Sequence, residues 1–117
     1  MQAGMGFSRR PSLIEGHAKD GGWVVGGKLY PAAMLVWREG VRSFGPLTLA
    51  DVGAAHLPAD CELLLLGTGE MLRRPPAALV ALAKAQGTRI EAMDSGAAAR
   101  TFNLLVQEER PVAALLL

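Results

Sequence analysis

Two clusters of residues in this chain have types and spacing that could do chemistry. The first is Gly67-Thr68-Gly69, placed directly after the apolar run Leu63–Leu66, with Arg73-Arg74 a few residues on. Glycines at a strand end let backbone N–H groups approach an anion, and a guanidinium supplies paired donors to phosphate or carboxylate. Thr68, Arg73 and Arg74 are therefore candidate anion ligands. The second cluster is Asp94-Ser95 followed by Arg100 and Asn103. An acid and a hydroxyl at a helix start satisfy orphan N–H groups and suit the helix dipole. Arg100 and Asn103, spaced i, i+3, share a polar face. With Asp94 and Ser95 they outline a polar groove or a docking surface for a partner.

Neither cluster completes a catalytic set. A dinucleotide fingerprint needs a third glycine at position 72 and a helix that starts at once; the chain has Leu72 there, and Pro75-Pro76 delay the helix. Glu91 stands at about the distance of a ribose-binding acid, but alone it does not make the site. His17 and His56 belong to no metal-ligand spacing. Cys61 has His56 five residues away and no third group, so an inert thiol is expected. Ser95 lacks the Gly-x-Ser-x-Gly elbow of a hydrolase. No catalytic residue, metal or cofactor is assigned.

The elements that must position these residues follow from periodicity and turn signals. Trp23–Val25 and Lys28–Tyr30 flank Gly26-Gly27, a two-residue hairpin turn. Ala33–Trp37 reads as a strand, Arg38–Gly40 as its turn, and Val41–Phe44 as an edge strand. Thr48 is expected to cap a short helix with Leu49 and Val52 inward. Four leucines at 63–66, bounded by turn signals, fit a central strand covered on both faces. Pro75-Pro76 opens a helix whose buried stripe is Leu79, Leu82 and Ala83, with Gly87 as its stop. Arg89–Met93 is a second strand. A helix over 95–109 buries Ala98, Phe102, Leu105 and Val106, and Arg110 is placed to meet its terminal carbonyls. Val112–Leu117 closes as a buried strand. Trp23, Tyr30 and Trp37 are expected in the core or on a hairpin face.

This rhythm predicts one α/β domain over residues 12–117, with an antiparallel hairpin layer at its N-terminal end and flanking helices. Residues 1–11 read as a flexible tail. Ser8-Arg9-Arg10 is followed by a charged stretch, not the apolar one an export signal requires. At 117 residues and net charge +1, with few aromatics, the chain has no field or stacking surface suited to nucleic acid. No apolar run approaches the roughly 20 residues of a membrane span. The single cysteine excludes an intrachain disulfide and suits a reducing compartment, taken as the cytoplasm.

The stretch Met93–Asn103, with Arg100-Thr101-Phe102-Asn103, then Glu109-Arg110 and Val112, resembles a family signature, as do Gly67-Thr68-Gly69 and the N-terminal hairpin. That family of small α/β domains includes the mitochondrial respiratory complex I assembly factor 3 and the adipogenesis-associated domain proteins. The chain departs from the pattern at Ala99, where several members have cysteine, and at Pro111, where a basic residue is common. The resemblance implies a three-layer domain with a mixed central sheet. It also implies a non-enzymatic interaction domain that holds a protein partner, a respiratory-complex subunit or another assembly factor, during assembly. The alternative is a small-anion or small-ligand-binding protein that uses the Gly67-Thr68-Gly69 loop with Arg73 and Arg74.

Overall fold

A computed structural model describes residues 10–117. The tail expected over residues 1–11 thus lies, for residues 1–9, outside the described residues. Among the described residues the order is β1 (Ile14–His17), β2 (Trp23–Val25), β3 (Lys28–Tyr30), β4 (Met34–Trp37), β5 (Gly40–Ser43), β6 (Leu63–Gly67), α1 (Ala77–Ala85), β7 (Arg89–Met93), α2 (Ser95–Val106) and β8 (Val112–Leu116). Strands β1, β2 and β3 form a small antiparallel sheet in that order. The other five form a mixed sheet ordered β5-β4-β8-β6-β7. Strand β6 runs parallel to both β8 and β7, while β4 pairs antiparallel with β8 and β5.

Alternation along the central strands sends successive side chains into two separate cores. Leu65, Ala114 and Leu116 join Met34 and Val36 against α2, where Ala98, Phe102 and Val106 are buried, and the small sheet adds Ile14, Trp23 and Val25. Leu64, Leu66, Ala113 and Leu115 face the other way, toward Leu79 of α1 and toward Val52 and Cys61 of the long connection. Both faces of β6 and β8 are therefore dry, as expected of the four-leucine run. The two sheet faces are covered unequally. One carries α2 and a sheet, and the other carries α1 plus irregular chain.

Several local expectations are corrected. The segment after Thr48 forms only a 3-10 turn, Leu49–Asp51, and the Thr48 hydroxyl donates to Asp51 Oδ2 at 2.9 Å without capping a helix. Val52 is buried as expected, while Leu49 is half-buried. A second 3-10 turn, Ala54–His56, follows it. Leu82 faces solvent; Leu79 and Ala83 alone carry the buried stripe of α1. Helix α2 stops at Val106, not at residue 109. Its last carbonyl accepts from Arg38, reaching over from the end of β4 at 2.8 Å, the role the sequence suggested for Arg110. Strand β1 was not anticipated, because only Ile14 of its four residues is buried.

Candidate functional site

The C-terminal ends of β6, β7 and β8 meet the start of α2 in a closed set of hydrogen bonds. Ser95 N donates to Gly69 O at 2.8 Å, and Gly69 N donates back to Ser95 Oγ at 2.9 Å. The same hydroxyl donates to Leu117 O at 3.3 Å, while Leu117 N reaches Gly67 O at 2.9 Å. The turn allows no side chain at position 67. A Cβ there would lie 2.8 Å from Leu116 Cδ2, Ser95 Cα and Ser95 Oγ. Gly69, at φ 101°, supplies the left-handed turn that follows. The Gly-x-Gly spacing thus seats a helix against a strand end, with the glycines doing two different jobs.

Thr68 is buried, and its hydroxyl organises the next loop. It donates to Met71 O at 2.7 Å and accepts from Arg73 N at 2.9 Å. The loop is pinned at both points before Pro75-Pro76 leads into α1. Its side chains are not buried: Met71 is 70% exposed and Leu72 63%. Arg73 and Arg74 are exposed beside them. An open cleft of about 560 Å³ gathers Thr68, Gly69, Arg73 and Arg74 with Thr48 and Leu117. The structure therefore brings the first expected cluster together, and no acidic side chain lines that cleft.

The second cluster is divided by its geometry. Asp94 is the N-cap of α2, its Oδ1 accepting from Ala97 N at 2.9 Å. Arg100 folds back over the first turn. The position a Cβ on Gly96 would occupy is 3.3 Å from Asp94 Oδ1 and 3.4 Å from Arg100 Nη1. Ser95 is buried, with its hydroxyl fully engaged as described. Asn103 also points inward. Its Oδ1 accepts from Ile14 N and its Nδ2 donates to Ile14 O, both at 2.8 Å. An amide carries a donor and an acceptor side by side, so it matches one peptide unit of a strand edge. The seven expected residues accordingly do not converge on one pocket. Thr68, Arg73 and Arg74 share a cleft, Asp94 and Arg100 share the first turns of α2, and Ser95 and Asn103 tie elements together.

Cys61 is buried beside the other end of β6, and its thiol donates to Leu63 O at 2.9 Å. Burial pushes its pKa above the ordinary value, so the thiol stays protonated near neutral pH. His56 is spent in its own turn, Nδ1 accepting from Gly53 N at 3.0 Å. Glu91, considered as a ribose ligand, pairs with Arg89 at 3.0 Å on the surface. Among the described residues no group of three His, Cys, Asp or Glu side chains could hold a metal ion. No helix there is long and apolar enough to cross a membrane.

These features define a three-layer α/β domain with a mixed five-stranded sheet. The same fold is seen in a Bordetella parapertussis protein, at TM-score 0.81 and 33% identity over 92% of this chain and 96% of that one. It is also seen in a Bordetella pertussis protein described as a Mth938-like domain, at TM-score 0.72 and 26% identity, with 100% and 90% covered. The chain belongs to the family described as "Protein of unknown function (DUF498/DUF598)", whose pattern it matches over residues 15–117. A Xenopus tropicalis relative is named NADH dehydrogenase [ubiquinone] 1 alpha subcomplex assembly factor 3; it is 32% identical over 112 residues. That match takes in 90% of this chain, and the chain spans about 60% of that relative's length.

Proposed function

We propose that this protein is a non-catalytic docking domain that holds a protein partner while a multisubunit complex is put together. The name of its Xenopus relative points to an NADH dehydrogenase as the kind of complex. One observation carries the reading. Met71 and Leu72 stand adjacent and exposed on a loop whose backbone is already fixed by the buried Thr68 hydroxyl. Covering a large apolar side chain stabilises by about 1.5–3 kcal/mol, and here much of the ordering cost is met before any partner arrives. Scattered apolar residues on a surface are ordinary; two on one pinned loop, with Arg73 and Arg74 next to them, have the composition of an interface centre. The fitting partner surface is an apolar groove rimmed by carboxylates.

The seven sequence candidates divide under this proposal. Arg73, Arg74 and Arg100 belong to the docking side, and Thr68, Asp94, Ser95 and Asn103 hold that side in shape. The cytoplasm is the compartment proposed, where the unpaired Cys61 stays reduced. The test is affinity capture of tagged protein from its own cells, with NADH dehydrogenase subunits quantified in the eluate. Wild type should recover such a subunit, and Met71→Ser/Leu72→Ser should lose at least tenfold of it while melting normally. Thr68→Val, at a position only 6% exposed, should weaken recovery by freeing the loop. Wild-type recovery no higher than background, or undiminished recovery by the Met71→Ser/Leu72→Ser variant, would refute the proposal.

A further inference from the structure

A second and larger cleft, about 680 Å³, opens at the opposite end of the sheet from the Met71-Leu72 loop, beside the N-terminal ends of β6 and β8. It exists because this sheet face has no helix over β4: the chain around Leu57 and Pro58 forms one wall and the chain around Pro111 the other. A cleft of this size suits a small molecule. Its inner surface carries the half-buried rings of Trp37 and Phe44 together with Leu57.

Charge within the cleft is arranged by depth. Arg38 is half-buried and fixed, because one N–H of its guanidinium donates to Val106 O at 2.8 Å. A guanidinium has five N–H donors, so the remainder are left to bind something else. Arg42 lies over the Phe44 ring, 5.0 Å from its centroid. Neither arginine is paired with an acid, since Arg89–Glu91 is the sole ion pair among the described residues. Glu39, Asp60, Glu109 and Arg110 also line the cleft, and all four are exposed, as Arg42 is, where solvent and salt screen them. Three arginines and three acids thus line the cleft, and the one half-buried charge among them is Arg38, so its interior favours an anion. Asp60 at φ 52° and Glu109 at φ 60° are the two non-glycine residues among the described residues with left-handed backbone, and both line this cleft. Strained backbone of this kind persists where the surroundings hold it, often around ligand sites.

We propose that this cleft binds a small amphipathic anion: a carboxylate on an aromatic or branched apolar body, the body against Trp37, Phe44 and Leu57 and the carboxylate on Arg38 and Arg42. The planar two-oxygen acceptor matches the fork of a guanidinium. The inference is independent of the docking reading, which concerns the other end of the sheet.

The experiment uses 1-anilinonaphthalene-8-sulfonate as a fluorescent probe, with indole-3-acetate and its uncharged counterpart tryptophol as competitors. One saturable probe site per chain is expected, displaced by indole-3-acetate at least tenfold more effectively than by tryptophol. Arg42→Gln should weaken indole-3-acetate by about tenfold, the scale of a lost charge-assisted hydrogen bond. Trp37→Leu should reduce binding of both competitors. Normal melting of each variant separates these effects from misfolding. Amide chemical-shift changes on titration should cluster at residues 37–44, 57–61 and 109–113. Non-saturable probe binding, equal displacement by tryptophol, or an Arg73→Gln/Arg74→Gln variant that loses as much as Arg42→Gln would each overturn the proposal.

Discussion

Replacing Asn103 with alanine should unfasten β1 from α2, with a cost that can be worked from the structure. The side chain makes two hydrogen bonds to one residue, Ile14 N and Ile14 O, each at 2.8 Å. A typical hydrogen bond contributes about 0.5–1.5 kcal/mol net, so the pair amounts to about 1–3 kcal/mol. The upper half of that range is expected, because Ile14 is only 7% exposed and water replaces the amide poorly there. Chemical denaturation should therefore show a loss of about 2–3 kcal/mol, with a drop in melting temperature on the order of 10 °C. Asn103→Asp separates the two bonds. A carboxylate still accepts from Ile14 N, but its second oxygen meets the Ile14 carbonyl, so donor and acceptor no longer match. That variant should be at least as unstable as alanine at neutral pH and should recover partly in acid, where a protonated carboxyl can donate again. Amide exchange at Ile14 should accelerate in both. A change below about 0.5 kcal/mol for Asn103→Ala, the range of ordinary surface substitutions, would show that the two bonds do not hold β1 in place. Partner capture that failed in Asn103→Ala at unchanged stability would return the residue to the docking side.

Gly67→Ala should destabilise by about 1–3 kcal/mol, the usual cost of overpacking, because the new methyl would meet the Ser95 backbone and Leu116 at 2.8 Å; differential scanning calorimetry checks it, and a neutral result would mean that α2 can shift away from β6. Cys61 should react slowly with a disulfide reagent at neutral pH and fast once the chain is unfolded. Burial raises its pKa in the folded state above the ordinary 9.0, so the folded form holds the thiol proton more tightly than the unfolded chain does. Stability from this group is thus complete below the unfolded pKa and is lost as pH rises from there through the folded value. Cys61→Ser should flatten that alkaline part of the stability profile, measured by denaturation at a series of pH values.

Much of the framework was legible in residue order because it rests on local periodicity. The run Leu63–Leu66, bounded by turn signals, fitted a strand dry on both faces, and the Ala98, Phe102 and Val106 spacing gave α2 its buried side. The hairpin around Gly26-Gly27 followed from turn chemistry, and the pair has φ 60° and 78°. What failed was short and weakly patterned. Strand β1 buries one residue, and the connection after Thr48 settles into 3-10 turns because too few apolar positions repeat to hold an α-helix. Leu82 kept a helical spacing but missed the sheet, since α1 spans only nine residues and its stripe is narrow.

The polar residues separate the two levels most clearly. Residue types alone presented Thr68, Ser95 and Asn103 as groups free to bind something. Tertiary structure directs their polar atoms to Met71 and Arg73, to Gly69 and Leu117, and to Ile14 across 89 positions of sequence. Strand order, the covering of β4 on one sheet face by irregular chain and the meeting of Arg38 with the end of α2 were likewise decided only in three dimensions. The physical reason is range. Propensity and period act over a turn or a few strand residues and are written in neighbours. The partner of a hydroxyl or an amide is whatever the packed cores bring within about 3 Å, and no local pattern encodes it.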